Sequence, residues 1–354
     1  MPGLVYIAVW VAAVPALSTD LGPRSLGTVE PLAAVASAAE AAQEEQYRER
    51  QVLDPQTDTW VEQAVALPGT PEAELDEARA LLARGEVRAA YGRLKKWVET
   101  HREHERYFEA LLLLGEACFG RERFYQAYER FEEVVENTAG ELFYKALLRE
   151  VDVARAFLAG RKRIIWGFLP LPAYDDGVEI LDRVWERVPG TRLGEDALRL
   201  KAEYFFGVGD YQLAQDEYAN LAREYPSGRF VRLAMLRAAV AAQEAFPGTK
   251  FDDRALLDAE EGYRQVKAAF PEFAQREGVD ERLEAIARKR AEKDLEIARW
   301  YERTQATPAA AFYYQLILRE HPQTLEAVEA RRRLRALGFE TPEESAAPQQ
   351  ETTP

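Results

Sequence analysis

Three histidines and one cysteine are all that this chain of 354 residues offers for imidazole or thiol chemistry. His101 and His104 stand three apart in a stretch that also holds Glu99, Glu103 and Glu105. On a helix that spacing would put both imidazoles on one face beside a carboxylate, which is half of a metal site. A closed site needs further ligands at fixed spacing, and no other His or Cys supplies them, so the stretch reads as a polar turn between repeats. His321 stands before Pro322 as Tyr225 stands before Pro226 and Phe270 before Pro271, which marks a structural slot. Cys118 is alone, so no disulfide forms within the chain. Paired carboxylates occur at Asp175-Asp176, Asp252-Asp253 and Glu260-Glu261. The first two pairs come just before segments of helical period, where negative charge suits the exposed N–H groups of a helix start. The sequence has no Gly-rich phosphate loop, no His-Glu-x-x-His and no nucleophile elbow, and Gly207-Val208-Gly209 is a helix end. The expectation is a chain with no catalytic residue, no cofactor and no metal, and not an enzyme.

What positions these residues is a repeated phrase: a small residue, large apolar residues at +4 and +7, and often a proline at +12. It runs Ala214, Tyr218, Leu221, Pro226; Ala259, Tyr263, Val266, Pro271; and Ala310, Tyr314, Ile317, Pro322. A looser copy is Gly177, Leu181, Val184, Pro189, and two copies lack the proline: Ala127, Phe131, Val134 and Ala90, Leu94, Trp97. Offsets of 4 and 7 share one helical face, and a proline past the last turn stops the helix. Twelve residues upstream of four of these markers lies another small residue with a larger one at +3. The sets are Ala78 and Leu81, Gly115 and Cys118, Ala202 and Phe205, Ala298 and Tyr301. Each unit is therefore two helices around a turn, crossing where side chains are small. In this register Cys118 is a packed core thiol.

Period and pattern resemble the tetratricopeptide repeat (TPR) over residues 71–338. The predicted fold is all-α: a right-handed solenoid of about six helix–turn–helix repeats, closed by a capping helix over 324–337 that carries Arg331, Arg332, Arg333 and Arg335. The third repeat is interrupted, its first helix over 141–159 and its second starting near Tyr174. The insertion at 160–172 is rich in apolar residues, with Trp166, Phe168 and Leu169 following Arg161, Lys162 and Arg163. Two readings stay open for it: a flap folded back over a neighbouring helix pair, or an exposed finger that makes Arg161, Lys162, Arg163, Trp166, Phe168 and Leu169 candidate contacts for a partner or a membrane. A shorter insertion spans 246–252 in the fifth repeat.

Composition sets outer limits. The net charge of −15 makes nucleic acid a poor partner. Residues 4–17 are apolar and uncharged, too short to span a bilayer, with Ala16 and Ser18 near a cleavage-like site. Residues 1–18 therefore resemble a secretory signal peptide, 19–70 an Ala/Glu/Pro-rich linker, and 339–354 a disordered tail. The only helical stripe in the linker lies around 35–50.

The C-terminal half is similar to something narrower. Residues 292–301, with Ala298 and Tyr301, then 309–322, an alanine-led helix ending in His321-Pro322, resemble the BamD-like outer-membrane lipoprotein family. The cadence of residues 225–230, 246–253 and 266–271 agrees. The resemblance implies an exported, non-enzymatic scaffold at the inner face of the outer membrane, whose partners are barrel-assembly subunits or substrates. The family's lipidated cysteine is absent, so any membrane association is indirect, and no substrate-binding residue carries over. The alternatives are a cytoplasmic TPR adaptor or a periplasmic scaffold of another pathway.

Overall fold

Each small-large-large phrase proves to be the buried seam of a helix. The computed structural model describes residues 47–54, 59–165, 168–248 and 252–340. The chain divides into two compact units, 1–73 and 74–354. The readings of a signal peptide at 1–18 and of a tail after 340 lie outside the described residues.

In the first unit, β1 (Tyr47–Asp54) and β2 (Thr59–Ala66) pair antiparallel, from Tyr47 opposite Ala66 to Asp54 opposite Thr59. This corrects the linker reading for 47–66, and the helical stripe reaching Arg50 with it. Val52, Val61, Thr59 and Trp60 are residues that favour the pleated backbone, and Val52 stands directly opposite Val61.

The second unit is a run of helix pairs. They are α1 (Pro71–Ala83) with α2 (Val87–Thr100), α3 (Tyr107–Gly120) with α4 (Phe124–Asn137), and α5 (Gly140–Leu158) with α6 (Tyr174–Arg187). Then come α7 (Arg192–Val208) with α8 (Tyr211–Glu224), α9 (Val231–Glu244) with α10 (Arg254–Ala269), and α12 (Val279–Arg303) with α13 (Thr307–Glu320). The short α11 (Pro271–Arg276) precedes α12, and α14 (Leu325–Ala336) closes the series. From α2 onward successive helices pack on one another, and α1 joins α2 in one core cluster through Leu75, Ala78, Ala90 and Leu94, which is the TPR-type solenoid with its cap. Ala78, Ala90, Ala127, Ala202, Ala214, Ala298 and Ala310 are all buried at the crossings. At Gly115 even a methyl group is too large, because its Cβ would overlap the ring of Phe131. Gly85 and Gly209 take left-handed backbone (φ 77° and 82°) in the turns after α1 and α7, a conformation that favours glycine.

The core is a chain of four linked clusters rather than one mass. The largest runs from Leu75 to Ala197, the next joins α7, α8 and α9, and a third joins α9, α10, α11 and the start of α12. The fourth joins the end of α12 to α13 and α14. Between them, side chains stitch the turns: Glu195 Oε1 accepts the Phe230 N–H at 3.1 Å, and the Tyr225 hydroxyl accepts the Gly190 N–H at 3.2 Å.

Two features depart from simple pairing. Pro271 ends α10 as expected, but it also sits in the first turn of α11, where its missing N–H costs nothing. The insertion at 160–172 forms a ribbon, with β3 (Arg163–Ile165) antiparallel to β4 (Leu169–Leu171).

Candidate binding surfaces

The first helices of the pairs share a face. Arg79 on α1, Leu112, Leu113 and Glu116 on α3, Leu148 and Asp152 on α5 and Asp196 on α7 line one groove of about 860 Å³. A separate hollow of about 200 Å³ on α7 and α9 is lined by Arg199, Glu203, Leu233 and Arg237. The floor of the groove is leucine, with Leu148 exposed. Charged side chains on the walls are tied to one another: Arg149 to Glu116 at 3.0 Å and to Asp152 at 3.2 Å, and Lys145 to Glu141 at 2.6 Å. Exposed pairs of this kind hold little free energy, so they exchange readily for a ligand's polar groups.

Behind the groove, between α4, α5 and α6, lies a buried polar network. Glu132 receives both Nη1 (2.7 Å) and Nη2 (2.6 Å) of Arg187, and Arg183 donates to the Tyr128 hydroxyl at 2.7 Å. Glu150 is fully buried and lies 3.6 Å from Arg187 Nη1. Burial, reinforced by the neighbouring Glu132, pushes the Glu150 carboxyl up to about 9. Burial also opposes ionisation of Glu132, but the Arg187 bond outweighs it and holds that carboxyl below its ordinary range. One carboxyl is thus kept neutral beside one kept charged. The pair joins α4, α5 and α6 through Arg187, and its chemistry is that of a structural clasp.

The candidate site residues of the insertion are placed as follows. Arg161 and Lys162 are exposed, and Arg161 meets Glu122 at 3.4 Å. Arg163 is half-buried: it bonds Asp176 at 3.0 Å and lies 3.8 Å over the Tyr125 ring. Phe168 is 77% exposed, and Ile164, Leu169 and Leu171 are exposed beside it. Trp166 lies outside the described residues. Arg163 anchors the base of the ribbon, and the described apolar side chains beyond it are exposed.

His101 and His104 both pack on Trp97, with ring centroids 4.9 and 5.2 Å away. His104 Nδ1 accepts the Arg106 N–H at 3.1 Å. They form a turn, and no group of three or more metal-ligating side chains occurs among the described residues. Cys118 is buried, and burial pushes its thiol pKa up, away from reactivity. His321 is buried too, with its pKa lowered by desolvation. Asp175 and Asp176 stand in the first turn of α6, while Asp253 departs from its expected capping role and reaches Lys293 of α12 at 3.2 Å. The groove itself was not among the residues singled out from sequence. Its signal lies in the positions of each first helix that face away from the small crossing residue.

No family model matches this chain, and no curated protein matches it. Among solved structures it is similar to the C-terminal part of a TPR repeat-containing protein from Cytophaga hutchinsonii, at 11% identity and TM-score 0.38, covering 74% of this chain and 88% of that one. A tetratricopeptide repeat protein from Parabacteroides merdae shares 10% identity at TM-score 0.36, covering 76% and 98%. The TPR-like repeats of a putative kinesin light chain from Podosopora anserina share 18% at TM-score 0.34, covering 56% and 96%. The assignment of the fold rests on the helix pairs and their crossings described above.

Proposed function

We propose that this chain is a non-enzymatic protein–protein interaction scaffold whose groove along α1, α3, α5 and α7 holds a segment of another protein. The observation that carries this is a leucine floor between walls of mutually paired charges, continuous over four successive first helices. Stacked repeats bury their crossing faces and leave such a preshaped surface, which suits an extended or helical peptide better than a small substrate.

Placement in the bacterial envelope, with barrel-assembly subunits or substrates as partners, is the finer form of this reading. It is supported by the apolar run at 4–17 and by the phrases around Ala298, Tyr301 and His321-Pro322. The N-terminus of the protein recovered from its own cells tests the compartment: a start near residue 17 or 19 supports export, and an intact Met1 supports the cytoplasmic adaptor instead.

The groove is tested with a photoreactive side chain at Leu148, compared with one at Glu129 on α4. Partner protein cross-linked from 148 and not from 129, and lost on Arg149→Glu at the exposed wall of the groove, is the expected result. Equal labelling from both positions would refute the groove as the binding face.

A further inference from the structure

One element carries exposed apolar side chains, and a few residues away lies a notch of complementary chemistry. In the register of β3 and β4, Ile164 stands opposite Pro170 and Arg163 opposite Leu171, so their side chains point to opposite sides of the ribbon. Ile164 on one side and Leu169 and Leu171 on the other are all exposed, as is Phe168. A ribbon apolar on one side can lie flat against a neighbour. A ribbon apolar on both sides leaves water only when something surrounds it. At its stem stand Arg161, in an exposed pair with Glu122, and Lys162, which makes no ion pair among the described residues.

Where β4 leads into α6, a notch of about 340 Å³ opens between α6 and α7. Tyr204, Phe205 and Val208 supply its apolar surface, and Val208 is 59% exposed. Asp175, Glu179, Asp182 and Asp210 supply its charge, and no cation lines it. Glu179 pairs with Arg183 and Asp182 with Lys201, while Asp175 makes no ion pair among the described residues.

We propose that this notch receives the β3–β4 finger of a second copy of this chain, the cationic stem against the acidic rim and the apolar ribbon against Tyr204 and Val208. The two patches are complementary, and they are also neighbours, because Arg163 is bonded to Asp176, next to Asp175. A two-fold axis between neighbouring complementary patches seats each finger in the other copy's notch and closes the assembly as a dimer. Among the described residues of the finger none lines its own notch, and Phe168 stands exposed. A net charge of −15 also disfavours an anionic lipid surface as the medium that surrounds it. The inference is independent of the groove: the notch shares α7 with it but none of its lining residues.

Sedimentation of the full chain over a range of concentrations tests it. A monomer–dimer equilibrium is expected, and Phe168→Asp should move its midpoint upward by about tenfold or more with an unchanged melting curve. Lys162→Glu and Asp175→Lys should each weaken the dimer, and the two together should restore it, because the exchanged pairs regain opposite signs. A chain that stays monomeric at every concentration overturns the proposal, and so does a dimer indifferent to Phe168→Asp. Recruitment of monomer to vesicles containing anionic lipid, through Phe168, also overturns it and assigns the finger to a membrane.

Discussion

Glu150 shows how a single buried residue can set the pH response of a fold. Its carboxyl keeps its proton in the folded chain up to about 9, whereas the unfolded chain releases it in the ordinary carboxylate range. The contribution to stability is therefore complete at acid pH, declines as pH rises, and is lost as pH passes through the folded value. Glu132 has the opposite sign: it stabilises above the ordinary carboxylate range and fails only in strong acid. Glu150→Gln should leave the melting temperature near pH 6 within a few degrees of the parent and flatten the decline between pH 6 and 9.5, followed by circular dichroism. Arg187→Leu removes both bonds to Glu132 and leaves its charge with only Arg183, 3.7 Å away. Because Arg187 is partly exposed, a loss on the order of 2–3 kcal/mol is expected, below that for a fully buried pair. Gly115→Ala forces a methyl into the ring of Phe131 and should cost about 1–3 kcal/mol in urea unfolding, with an unchanged slope.

At the scale of elements, Arg163 fastens the finger through Asp176 and Tyr125. Arg163→Ala should speed amide exchange in β3 and β4 while the melting temperature stays within a degree or two, since the ribbon adds little to the core. This scale also shows what was legible in the sequence. Ala214, Tyr218 and Leu221 announced α8 because a helix with one buried face must repeat its apolar residues at helical spacing, and tertiary packing here agrees with that local rule. The finger was not legible as a ribbon: its strands are three residues long, and Pro170 within β4 argues against a strand. Likewise Pro271 read only as a stop, because a proline closes one helix and opens the next with the same chemistry. The groove was hidden for another reason. Its residues, such as Arg149 and Asp152, are ordinary solvated charges in the chain, and only the stacking of α1, α3, α5 and α7 brings them to one surface.

At the scale of the whole repeat array, the cap matters because it closes the last core cluster. α14 covers α13 through Ala327, Ala330 and Leu334, and its removal would bare Tyr314, Ile317 and Leu318. A chain ending at Gln323 should lose the last pair first, with an early melting step and a tendency to associate, while the pairs before α12 melt as before. The four core clusters have a further consequence. α7 and α9 each contribute buried side chains to two clusters, and α12 does the same. These first helices are the joints of the array; α7 also lines its groove, and α9 lines the separate hollow beside α7. A peptide laid along that groove therefore presses on the joint at α7. It acts as a splint, drawing the separate melting of neighbouring blocks into a single, later event.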